Sequence, residues 1–140
     1  MTPFIAEIIG TTLLIILGGG VVANVELNKT IGNNSGWIVV TTGWALAVYV
    51  AVVVTGPFSG AHINPAVSIG LAVAGEFAWE MVPSYVLAQM IGAMLGATIV
   101  WLVYKNHFDA TKDGDTKKAV FCTAPAIRHR FFNLVGEIVG

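Results

Sequence analysis

The stretch Gly56-Pro-Phe-Ser-Gly-Ala-His-Ile-Asn-Pro-Ala-Val-Ser-Ile-Gly70 decides the fold. Apolar sequence flanks it, and no Asp, Glu, Lys or Arg occurs from Thr30 through Gly75. Its centre nevertheless holds Pro57, Ser59, Gly60, His62, Asn64 and Pro65. Asn is a favoured helix N-cap and Pro a favoured first helical residue, so a helix starts at Asn64-Pro65 and Gly75 can stop it. Ten to twelve residues at 1.5 Å each give roughly 15–18 Å, half a bilayer. Residues 56–63 carry too many Gly, Pro and polar groups to read as helix. A re-entrant segment follows: irregular backbone descends to mid-membrane and a half-helix climbs back. Such backbone is tolerated at that depth only where it is buried in protein or lines a watery cavity. The alternative is an ordinary tight loop between two spans.

Outward from this stretch the chain is built for lipid. Apolar residues make up 56% of the 140 and charged residues 11%, with a mean hydropathy of +0.78, where a soluble domain carries about 25% charge. Three segments, about 3–25, 37–55 and 81–104, reach the roughly 20 residues that a hydrocarbon core demands. The first lacks a basic n-region and a small-residue cleavage site, so it reads as a retained span and not a signal peptide. The single Cys122 permits no internal disulfide. The net charge of −1 gives no reason to expect a nucleic-acid partner.

A second feature is internal similarity. Ile5–Gly10 reads IAEIIG and Val135–Gly140 reads VGEIVG. The shared glutamates, Glu7 and Glu137, lift this above a chance apolar match, because intramembrane charges are costly and usually functional. Three spans separate the copies, so the second enters from the opposite side, as in an inverted-topology repeat. The expected organisation is a first repeat over 1–128, including a long third connection at 105–128, and the truncated start of a second at 129–140.

The motif SGAHINPAVSIG, with AEIIGT, LAQMIGAMLGA and VGEIVG around it, resembles the major intrinsic protein family, the aquaporins and glycerol facilitators. The resemblance implies an all-α membrane protein with an aquaporin-like fold. Here that means three full spans, one re-entrant half-helix and the start of a fourth span. It also implies one pore per subunit in a homotetramer, in the cell membrane with the N-terminus cytoplasmic. The family's second NPA motif and filter arginine have no counterpart in these 140 residues.

Residue by residue, the resemblance makes the carbonyls of Gly60, Ala61 and His62 a ladder of acceptors along one pore wall. Asn64 aims its amide at a passing oxygen, and the half-helix start at Asn64, Pro65 and Ala66 adds the positive end of a helix dipole. Glu7 and Glu137 support the re-entrant loops; for Glu7 the alternative is a helix–helix contact. Trp44, about seven residues into the second span, matches the filter position that the family's glycerol channels fill with tryptophan, so the resemblance implies glycerol: polyol CH groups slide over the indole while hydroxyls bond the opposite wall. Trp37 and Trp101 suit the interfacial belt. Gly92 and Gly96 read as close helix packing, and His107 and His129 as solvated. Phe121–Pro125 loosely resembles a segment that approaches the filter, with Ala124 where glycerol channels often carry tyrosine; the alternative is a solvated linker.

The expected function is passive diffusion of glycerol and small neutral solutes with water, excluding ions and protons. A water-selective aquaporin is the first alternative and a coupled secondary transporter the second. No enzyme activity, cofactor or metal site is expected: His62 has no ligand or nucleophile at suitable spacing. One conflict remains within the sequence. All seven basic residues lie in the first and third connections, which the positive-inside rule would make cytoplasmic, against the family's orientation.

Overall fold

The computed structural model describes residues 1–139, so the last residue of the repeat match, Gly140, lies outside it. Helix α1 spans Pro3–Glu26, α2 Trp37–Ser59, α3 Pro65–Val73 and α4 Val82–Val103, the last preceded by a 3₁₀ turn at Trp79–Met81. Two short helices, α5 (Lys105–Ala110) and α6 (Gly114–Ala119), and a final α7 (Arg130–Val139) complete an all-helical chain. Three of these helices, counting the turn with α4, are long and apolar enough to cross a membrane. These elements match the three spans and the half-helix expected from the sequence.

Helix α1 is the centre, packed on α2 along one side and on α4 along the other. The register is visible in the glycines. A Cβ at Gly10 would meet Thr55 and Ile63, and one at Gly18 would meet Trp44, so α2 runs antiparallel to α1. A Cβ at Gly92 would lie 2.5 Å from the Ile8 carbonyl oxygen, and one at Gly96 2.9 Å from that of Thr12. Helix α4 therefore runs parallel to α1 at backbone contact, and Thr12 Oγ1 donates to the Gly92 carbonyl at 3.1 Å. Small residues allow this approach where lipid supplies no hydrophobic drive.

The stretch 56–59 departs from the expectation that it is too broken for helix. Helix α2 continues through Pro57 to Ser59, and Gly60, at φ 81°, ends it. Near a helix C-terminus the lost N–H of Pro57 removes a single rung of the ladder. Irregular backbone is thus confined to residues 60–64. The half-helix is also shorter than expected, nine residues or about 14 Å. It closes with a two-bond cap in which Gly75, at φ 79°, donates to Ala72 and Glu76 donates to Leu71.

The first part of the third connection packs on the protein, while residues 121–128 are exposed. Phe108 and Val120 are buried against Ala23, Leu27 and Val100 at the shared ends of α1 and α4. Thr111 Oγ1 accepts from the Asn28 amide at 2.9 Å. His107, expected to be merely solvated, places Nδ1 3.2 Å from the Asn28 carbonyl. Asp113 caps α6 by accepting from Thr116, whose hydroxyl and amide hold its carboxyl below the usual range.

Candidate functional site

A loop that leaves the helical ladder must find other partners for its N–H groups, at several kcal/mol each in a bilayer. Between Gly60 and Asn64 the chain does this with one buried carboxylate. Glu7, fully buried on α1, accepts from the His62 amide at 3.0 Å and the Ser59 hydroxyl at 2.6 Å through Oε1. Through Oε2 it accepts from the Ile63 amide at 2.7 Å and Gln89 Nε2 at 2.8 Å. The Ala61 amide donates to Ser59 Oγ at 3.1 Å, and the Gly60 amide to the Gly56 carbonyl at 3.0 Å. Every amide from 60 to 63 is engaged.

Their carbonyls are not. No described residue donates to the carbonyl oxygens of Gly60, Ala61, His62 or Ile63. The backbone accepts strain to reach this state. Gly60, Ala61 and Ile63 all have positive φ, at 81°, 50° and 45°, and for a β-branched residue such as Ile63 that conformation is a genuine outlier. Residues 60–63 thus combine amides bound to protein with carbonyls to which no described residue donates.

The side chain of His62 is buried within the protein. Its ring is buried between Phe77 and Tyr85, with centroids 4.5 and 4.8 Å away. Its Nδ1 lies 3.0 Å from Ser68 Oγ, to which Gln89 Nε2 also donates at 3.0 Å. Tyr85 donates its hydroxyl to the Ser59 carbonyl at 2.9 Å. The ring therefore pins the loop to α3 and α4. Among the described residues no group of three His, Cys, Asp or Glu gathers as metal ligands would.

Asn64 caps the half-helix: its Oδ1 accepts from the Ala66 amide at 2.9 Å. That bond fixes which side of the amide is occupied. The exposed Nδ2 has no partner among the described residues, so it is a free donor at a helix N-terminus. Pro65 and Ala66 form the first turn behind it.

Trp44 lies apart from this loop, at a cleft of about 800 Å³ between α1, α2 and α4. Trp37 and Thr41 stand on the same face of α2, and Cys122, Thr123 and Ala124 fold back from the third connection to form the opposite wall. Glu137 sits exposed on α7 and makes no hydrogen bond among the described residues.

Ser59, Ser68, Tyr85 and Gln89 were missed as site residues. The available signal was their type: Gln89 and Ser68 are polar side chains inside apolar runs, which a membrane helix carries only where they find partners.

Comparisons with known proteins agree with this architecture. The profile of the family described as "Major intrinsic protein" matches residues 1–139. A probable glycerol uptake facilitator protein of Thermotoga maritima is 57% identical over the whole chain, which spans 60% of that relative. The glycerol uptake facilitator protein of Bacillus subtilis is 51% identical, with 51% of its length covered. The chain thus spans about half to three-fifths of these curated relatives. The X-ray structure of the aquaglyceroporin from Plasmodium falciparum superposes with a TM-score of 0.70 at 37% identity, over 76% of this chain and 43% of that one. From its re-entrant loop to its three spans, this chain belongs to the major intrinsic protein family.

Proposed function

We propose that these residues form one half of a passive channel for glycerol and related small neutral solutes, with water alongside. The observation that carries the reading is the division within residues 60–63: amides bound to protein, carbonyls unbound. The carbonyls of Gly60, Ala61 and His62 accept hydroxyl protons in succession. Asn64 Nδ2 donates to the solute oxygen at the start of the half-helix, whose first turn at Pro65 and Ala66 opposes cations and protons. Glu7 holds the loop, and Glu137 has the matching task for a second loop outside this chain.

Trp44 sets the substrate class. An indole face beside hydrogen-bonding groups suits an amphipathic polyol better than water alone. Residues 1–128 act as the first of two inverted repeats and 129–140 open the second. The working assembly is a homotetramer in the lipid of the cell membrane, with the N-terminus cytoplasmic and the basic connections outside. The names of the relatives, glycerol uptake facilitators and an aquaglyceroporin, support glycerol.

The test is stopped-flow light scattering on liposomes containing the full-length protein, under glycerol and sucrose gradients. Glycerol influx should be fast, non-saturating and insensitive to a proton gradient. Trp44→His should cut glycerol flux about tenfold, a barrier increase of roughly 1.4 kcal/mol, while water flux changes little. Water flux without glycerol flux in the unaltered protein would mean a water-selective pore, and saturating pH-driven flux a coupled transporter.

A further inference from the structure

Three consecutive glycines, Gly18, Gly19 and Gly20, occupy the middle of α1. Each weakens a helix relative to alanine, and their surroundings differ. A Cβ at Gly20 would have nothing within 4 Å, and one at Gly19 would make ordinary contacts with Val100 and Val120. At Gly18 a Cβ would lie 2.5 Å from Cε3, 2.5 Å from Cζ3 and 2.7 Å from Cδ2 of Trp44. All three atoms belong to the six-membered ring of the indole. Gly18 is buried beneath that ring, while Trp44 itself borders the cleft.

We propose that Gly18 is a positioning residue for solute selectivity: its bare α-carbon is the seat against which the Trp44 indole rests, and it sets the width of the passage beside that ring. The inference rests on the reading of Trp44 as the selective residue. Its geometry leaves the ring one direction of escape. Val22, Val25 and Val40 form the packed cluster against which Trp44 lies, α1 stands behind the ring at Gly18, and the open side is the cleft. An added methyl group needs about 1 Å more than the present separation to reach ordinary contact. The indole moves by that amount toward the cleft, into the path of a polyol. Water, the smaller solute, has more room to spare.

The experiment compares glycerol and water permeability of the full-length protein in liposomes for four forms: unaltered, Gly18→Ala, Trp44→Ala and the double variant, with Gly20→Ala as a control. Gly18→Ala is expected to lower the glycerol-to-water ratio about tenfold, the effect of roughly 1.4 kcal/mol of added barrier. Gly20→Ala should leave the ratio unchanged. In the Trp44→Ala background, where no ring is left to meet the new methyl group, the same Gly18→Ala change should move the ratio less than twofold. An equal loss of both fluxes in Gly18→Ala, or the same ratio change with and without the indole, would overturn the proposal. If Trp44→Ala alone leaves the ratio unaltered, the reading of Trp44 fails. If it shifts the ratio and Gly18→Ala does not, only the role of Gly18 fails. Should Gly18→Ala not accumulate in the membrane, Gly18→Ala with Trp44→Ala decides: recovery of normal amounts identifies the ring as the obstacle, and continued absence refutes it.

Discussion

The loop at residues 60–64 and the cleft at Trp44 are held by different physics. At the loop, backbone leaves the helical ladder and four donors converge on one buried carboxylate, Glu7, at 2.6–3.0 Å. At the cleft, backbone stays helical and a large aromatic ring rests on a glycine and three valines. Charge-assisted hydrogen bonds are directional, and leaving one partner unpaired costs its full desolvation. Apolar contacts are graded and tolerate small displacements. Changes at the loop should therefore abolish the fold or the passage, whereas changes at the cleft should tune which solute passes.

The largest effect is expected beneath the loop. Gly92→Val would drive a side chain into the Ile8 carbonyl, 2.5 Å from the new Cβ, and separate α4 from α1 at the level where Gln89 reaches Glu7. Main chain cannot step aside as a rotamer does, so the cost should exceed about 3 kcal/mol. Size-exclusion chromatography in detergent should show loss of the folded species; a normal profile would break the claim that this contact is at backbone distance. A smaller effect is expected for Tyr85→Phe, which removes the hydroxyl bonded to the Ser59 carbonyl. The loss should be about 0.5–1.5 kcal/mol, a few degrees in thermal unfolding, with the glycerol-to-water ratio intact. A changed ratio would mean that the loop also selects, and the contrast with the cleft would need redrawing.

Much of this was legible in the sequence because it rests on local rules. Asn64-Pro65 starts a helix wherever it is capped, Gly75 stops one, and long apolar runs span a bilayer. The end of α2 was misread because Gly56 and Pro57 are breakers by propensity, and the bonds that hold its last residue, from the Ser59 hydroxyl to Glu7 and from Tyr85 to the Ser59 carbonyl, come from distant helices. That Glu7 supports the loop was an expectation of the resemblance, but its particular partners were hidden for another reason. Its bonds to Ser59, His62, Ile63 and Gln89 join residues 52 to 82 positions apart, and no spacing rule connects them. Gly18 was hidden likewise, since the GGG run reads as uniform until Trp44 distinguishes one glycine from the next two. The fold-back of the third connection depended on Phe108 and Val120 finding the α1–α4 end.

The most direct measurement replaces Glu7 with glutamine and follows glycerol flux of the full-length protein in liposomes at matched protein content. Glutamine keeps the shape and one acceptor oxygen, but its NH₂ group would face the donors now shared between Oε1 and Oε2. On one side those are the Ser59 hydroxyl and the His62 amide, and on the other the Ile63 amide and Gln89 Nε2. A buried donor left facing a donor costs about 1–3 kcal/mol. The account predicts a loss of glycerol flux of at least about tenfold, with the protein still inserted as a folded assembly. Glycerol flux equal to that of the unaltered protein would contradict it, because the free carbonyls of Gly60, Ala61 and His62 would then owe nothing to the carboxylate.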